Sequence, residues 1–167
     1  MDLGTSIIGL TFLLFCFIIF VILSRSNQKG EKQLLQSLKG LAEQNNCKIV
    51  QHDIWNNSAI GIDNTANIVF AIRNTNNNSI SFQINLSEMQ KCRVINAKRN
   101  GSNKEGNFKV IEKLELAFTY RDKNKPETFL DFYNADYDTS SLSGELQLIE
   151  KWCKIANDKL TILSLKK

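Results

Sequence analysis

The stretch "SISFQINL", Ser79–Leu86, alternates strictly. Ile80, Phe82, Ile84 and Leu86 fall on one side, and Ser81, Gln83 and Asn85 on the other. A period of two is the mark of a strand with one buried face. It returns in "KVIEKLELAFTYR" at 109–121, where Leu114, Leu116, Phe118 and Tyr120 share a face. Between and around these two stretches, "CKIVQHDI", "AIGID", "IVFAIR", "EMQKCRVI" and "TFLDFY" read as further short strands. "WNNS", "NTAN", "NTNNN" and "DKNKPE" separate them as turns, because Asn, Asp and Ser side chains bond to nearby backbone. "NAKRNGSNKEGN" at 96–107 reads as a polar loop. The expected β-rich (α+β) domain, 47–163, therefore holds about seven antiparallel strands.

Helical spacing replaces alternation at both ends. "EKQLLQSLKGLAEQNN", Glu31–Asn46, aligns Leu34, Leu35, Leu38, Leu41 and Ala42 on one stripe. Two heptads are too few for a coiled coil, so this is read as a connecting helix packed on the domain. "SLSGELQLIEKWCKIANDKL" aligns Leu142, Leu146, Ile149, Cys153, Ala156 and Leu160, with Trp152 widening the face. Ser143 is the expected N-cap, and Glu145 suits the positive helix end. Such a helix has to bury its face, most simply against the end or face of the sheet.

Leu3 to Ser24 contains no charged residue. Leu3 to Leu23, 21 residues, makes about 31 Å of helix, close to the thickness of a bilayer core. No basic n-region or clear small-residue cleavage site accompanies it, so residues 1–24 read as an uncleaved transmembrane anchor. Arg25, Lys29 and Lys32 come after the span and no Lys or Arg precedes it. The expected location is therefore a single-pass membrane protein with its N-terminus outside and its C-terminal domain cytoplasmic. Residues 25–46 would be the juxtamembrane linker and amphipathic helix, and 164–167 a tail.

Asp2 is the one charge within the anchor. The rest carries 21 basic and 16 acidic residues, a net of +5. That fits an anionic surface nearby and does not argue for nucleic acid. Cys16 lies in the anchor, while Cys47, Cys92 and Cys153 are widely separated with no CxxC pair. Isolated cysteines suit a reducing compartment. Asn56, Asn77, Asn85 and Asn100 each begin an N-x-S/T sequon, which matters only in a glycosylating compartment.

This order of about seven hairpin-linked strands and a Trp-bearing final helix, Cys47 to Leu160, resembles a pleckstrin-homology-like domain of bacterial type. The resemblance implies a barrel of two nearly orthogonal sheets capped by the final helix, with Trp152 as the aromatic that plugs it. It also implies phosphoinositide binding through cations around the first hairpin. "HDIWNNSAIG" has neither Lys nor Arg there. Several phosphates require several cations, so phosphoinositide is disfavoured and protein or peptide binding stays open.

The side chains that carry chemistry are few. His52 is the only histidine. Its neighbour Asp53, and Cys47 five residues earlier, face the opposite way in an unbroken strand, so neither makes a ready dyad. Asp136, Asp138 and Ser140 mimic the start of a calcium loop, but Ser141 and Gln147 stand where Gly and Glu belong. With Asp131 they read as acidic residues ahead of a helix N-terminus. Lys91, Arg93, Lys98, Arg99 and Lys104 form the most basic stretch and the candidate contact for an acidic partner or lipid. No Gly-rich phosphate loop, GxSxG or HExxH occurs. No catalytic, metal or cofactor residue is assigned. The expectation is a non-enzymatic scaffold or recruitment domain with a protein partner. Two alternatives stand beside it: an envelope-facing binding module of the same fold, and an enzyme using Asp131, Asp136 or His52.

Overall fold

Ser58–Asp63 is buried along its whole length, although it belongs to an antiparallel sheet. Both faces of that strand are therefore covered, and the two coverings organise the molecule. The structure is a computed structural model and describes residues 29–75, 78–103, 106–138 and 142–165. The buried strand, β2, lies between β1 (Gln51–Trp55) and β3 (Ile68–Asn74), and β4 (Ser79–Asn85) completes a sheet of order β1-β2-β3-β4. A single 3-10 turn, Leu86–Glu88, leads into β5 (Met89–Asn103), β6 (Gly106–Tyr120) and β7 (Thr128–Asn134), which form a second sheet of order β5-β6-β7. The helix described over residues 29–43, α1, precedes the sheets, and α2 (Glu145–Leu165) comes after them.

One face of β2 and β3 points between the sheets. Ile60, Ile62, Val69 and Ala71 join Leu114, Leu116, Phe118, Leu130 and Phe132 from the second sheet. α2 adds Ile149, Trp152, Ala156 and Leu160 to this cluster. The other face belongs to α1. Leu34, Leu38 and Ala42, spaced at four residues, pack on Ala59, Phe70 and Ile72. Each fully buried Leu, Ile or Phe in these layers contributes about 1.5–3 kcal/mol.

The turns explain the abundance of asparagine. Asn46, Asn56 and Asn67 all have positive φ, at 55°, 45° and 59°, a region that asparagine enters more readily than most residues. Asn46 ends α1, and the Cys47 amide beyond it returns to the Ala42 carbonyl at 2.9 Å. The sheets meet where Trp55 of β1 stacks on Phe132 of β7, with ring centroids 4.5 Å apart, and donates its indole N–H to the Phe132 carbonyl at 2.9 Å.

Several expectations are corrected. The fold class read from sequence, a transmembrane helix plus one capped barrel, is replaced by two separate sheets with a helix before and a helix after them. No helix among the described residues is long and apolar enough to cross a membrane. The 21-residue α2 has the length but carries Glu145, Glu150, Lys151, Lys154, Asp158 and Lys159. The single-pass membrane location, with its N-outside and C-cytoplasmic orientation, therefore has no support in the described fold. The stretch Leu3–Leu23 on which it was read lies outside the described residues. The loop expected at 96–107 is instead strand: β5 runs to Asn103 and β6 begins at Gly106. The helix cap also differs. Gly144, at φ 102°, precedes α2, and the Glu145 carboxylate accepts from the Ser143 amide at 2.5 Å and from Asn56 Nδ2 at 2.9 Å.

Gly61 sets the distance between α1 and the first sheet. A Cβ placed there would lie 2.8 Å from Ile49 Cγ2, 3.1 Å from Leu38 Cδ2 and 3.2 Å from the Gln51 carbonyl. Overpacking of this kind costs about 1–3 kcal/mol. Gly61→Val is expected to lower the unfolding free energy in urea by that amount at unchanged m-value, while Gly40→Ala, where nothing lies within 4 Å, is expected to leave it level or raise it.

Candidate functional site

β7 pairs with β6 only from Lys113 to Phe118. The paired ends of β5 and β6 continue past it as a two-stranded arm, from Lys98↔Ile111 out to Asn103↔Gly106. The arm starts at a register shift between Ala97 and Lys98 that leaves Glu112 without an opposite residue. Such a bulge bends the strand and re-aims the residues beyond it. Alternation places Asn96, Lys98 and Asn100 of β5 on the face shared with Lys109 and Ile111 of β6, continuing the inner face of the sheet. Arg99 and Val110 lie on the reverse.

The four described basic residues of the sequence stretch, Lys91, Arg93, Lys98 and Arg99, do not form one patch. Lys91 and Arg93 lie on the outer face of the sheet proper. Six residues separate Arg93 from Arg99, about 20 Å of strand. Arg93 is bound by Glu127, which accepts from its Nη2 at 2.7 Å and also from the Thr119 hydroxyl at 2.5 Å. The Arg93 guanidinium and the Thr119 hydroxyl pull the Glu127 carboxyl down to about 2. Arg99, 70% exposed, reaches Glu112 only at 3.8 Å. Lys91 and Lys98 are exposed, and no acidic group among the described residues pairs with them or with exposed Lys109. Lys104 lies outside the described residues. At the root of the arm the side-chain oxygen of Asn96 is buried with no donor among the described residues. Neither Lys109 nor Asn96 stands out in the sequence. They surface only because the polar "loop" pairs as strands.

The other candidates are structural. His52 is exposed on the α1 side of β1, beside Glu31, Lys32, Leu35 and Ile54. Asp53 turns the other way, accepting from Lys151 Nζ at 2.7 Å and from the buried Trp152 indole at 2.8 Å. Cys47 is buried, and its thiol donates to the Asn45 carbonyl at 3.3 Å. Asp136 is exposed, and Ser140 and Ser141 lie outside the described residues. Asp131 and Asp138 belong to an ion-pair network. Asp138 accepts from Arg73 Nη2 at 2.5 Å and from the Asn134 amide at 2.7 Å. Arg73 also donates to the Asp131 carbonyl at 2.9 Å and lies 4.8 Å from the Tyr137 ring centre. Tyr137 donates to the Asp131 carboxylate. Lys113 Nζ bridges Glu115 at 2.7 Å and Asp131 at 3.6 Å. No group of three His, Cys, Asp or Glu converges as metal ligands among the described residues.

Comparison of the chain with protein-family models, curated proteins and solved structures finds no match. The site's chemistry therefore rests on its own geometry.

The Arg73 side chain is 6% exposed, and removing one partner of a buried ion pair costs about 3 kcal/mol. Arg73→Met is expected to lower unfolding free energy by that amount in urea titration. Asp63 accepts from three backbone amides, Lys48 at 2.6 Å, Thr65 at 2.7 Å and Ala66 at 2.9 Å. These bonds, the Lys48 amide foremost, hold its carboxyl below the ordinary range. A depressed folded value gives stability that is full above the unfolded value of about 4 and lost as pH falls through the folded value. Asp63→Asn is expected to be less stable at neutral pH and to show a shallower loss of stability below about pH 4, read from urea midpoints across the acid range.

Proposed function

We propose that this chain is a protein-interaction module, a scaffold or recruitment domain, that holds an acidic segment of a partner protein on the inner face of its β5–β6 arm. The observation that carries this reading is charge left over after the ion pairs are assigned. Arg73, Arg93, Lys113 and Lys151 are each engaged by carboxylates. Lys98 and Lys109 share one face of a projecting ribbon with no such partner among the described residues. The carboxylates of a bound peptide meet the two ammoniums. Kinship with the pleckstrin-homology-like superfamily belongs to the same proposal, supported by seven strands and then a helix that buries Trp152.

A labelled poly-glutamate peptide is the probe. Titrated with the full chain and read by fluorescence anisotropy, it is expected to bind with an affinity that falls as salt rises. Joint reversal, Lys98→Glu with Lys109→Glu, is expected to weaken binding by about tenfold or more. Lys91→Glu, on the outer face, is expected to change it by less than about twofold. Undiminished binding by the double variant, or binding indifferent to salt, would sink the proposal.

A further inference from the structure

Sixty-one residues separate Cys92 from Cys153, and the fold brings them together. Cys92 lies on the inner face of β5 and is buried; Cys153 lies on α2 and is half-buried. The Cys153 thiol donates to the Cys92 carbonyl at 3.6 Å, and both side chains belong to the same central core cluster. Asn157, one helical turn on, clamps the pair. Its amide nitrogen lies 2.8 Å from the Cys92 carbonyl, 2.9 Å from the Cys153 carbonyl and 3.4 Å from the Cys153 sulfur. Its oxygen accepts from the Cys92 amide at 3.1 Å. One side chain thus fixes the strand and the helix at the point where the two cysteines face each other.

We propose that Cys92 and Cys153 are an oxidisable pair that closes an intramolecular disulfide between β5 and α2, with a peroxide as the oxidant class. The half-buried Cys153 meets the oxidant first. Its thiolate attacks one peroxide oxygen, the O–O bond breaks, and Cys153 becomes a sulfenic acid while the second oxygen leaves as an alcohol or as water. The Cys92 sulfur then attacks the Cys153 sulfur, the S–O bond breaks, and the hydroxyl leaves as water with the Cys92 proton. Two thiols and one peroxide give one disulfide, with two electrons passed to the peroxide. Burial holds the Cys92 thiol protonated well above the ordinary range, so Cys92 does not compete with Cys153 for the oxidant. Cys47, buried at the far side of the first sheet with its own carbonyl partner, takes no part.

The test uses the reduced full chain treated with hydrogen peroxide, digested without reductant and mapped by mass spectrometry. The expected product is a linked peptide pair containing Cys92 and Cys153, lighter by about 2 Da than the two free peptides and separated again by dithiothreitol. Cys47→Ser is expected to form it unchanged, and Cys153→Ser to form none. The oxidised chain is expected to melt about 5–15 °C above the reduced one. Recovery of both peptides unlinked, Cys153 as a sulfinic acid beside a free Cys92, or either cysteine joined to a second chain would each overturn the proposal.

Discussion

The indole N–H of Trp152 donates to the Asp53 carboxylate at 2.8 Å, and the arrangement of both sheets depends on that bond. Trp152 is the largest side chain in the central core. Burying its ring stabilises the gap between the sheets, but its one polar atom needs an acceptor. Asp53 supplies it from the inward side of edge strand β1 and is itself held by Lys151 from the preceding position of α2. A helix near the C-terminus is thereby registered against the first strand. The Trp55–Phe132 stack closes the same side of the core from strand to strand. Tight packing leaves this region few alternative arrangements.

Against that framework the polar side chains divide into two populations. Those of the Arg73–Asp138 network and the Arg93–Glu127 pair satisfy one another and hold elements in place. Lys98 and Lys109 on the arm have no such partner among the described residues. Along the arm β6 also has no pairing with β7, which stops at its base. Two exposed cations on one face, with no acidic partner among the described residues, are poorly explained by folding alone, which is why function is placed there and not on the histidine or the aspartates.

Much of the framework was legible in the sequence. Strict alternation marked β4 and β6, helical spacing marked α2, and the asparagine-rich turns fell between strands as their side chains demand. β2 was legible as a strand but not as one buried on both faces, because a helix expected to pack on the domain does not reveal from its sequence which strand it covers. The arm was misread for a physical reason. Residues 96–107 are polar, Gly-bearing and Asn-rich, which is loop chemistry, and only the continued pairing of β5 with β6 overrides it. The cysteine pair was invisible for the opposite reason: spacing along the chain carries no information about a contact made between a strand and a distant helix. The membrane assignment came from the uncharged stretch Leu3–Leu23, beyond the described residues, and from the cations Arg25, Lys29 and Lys32 after it, and drew nothing from the sheets.

Both sheets are simple meanders in which every strand pairs with its neighbour in sequence. Each hairpin can therefore form with little loop-closure entropy, before the rest of the chain is in place. The contacts that span the longest separations are of another kind. Asp53 to Trp152 bridges 99 residues and Asn56 to Glu145 bridges 89, and both depend on α2. On topological grounds the slow event is the docking of the last helix onto two sheets already formed, since non-local contacts limit folding rates. On a ribosome that event waits until α2 has emerged, and until then the apolar inner faces of both sheets remain open to solvent and to chaperones.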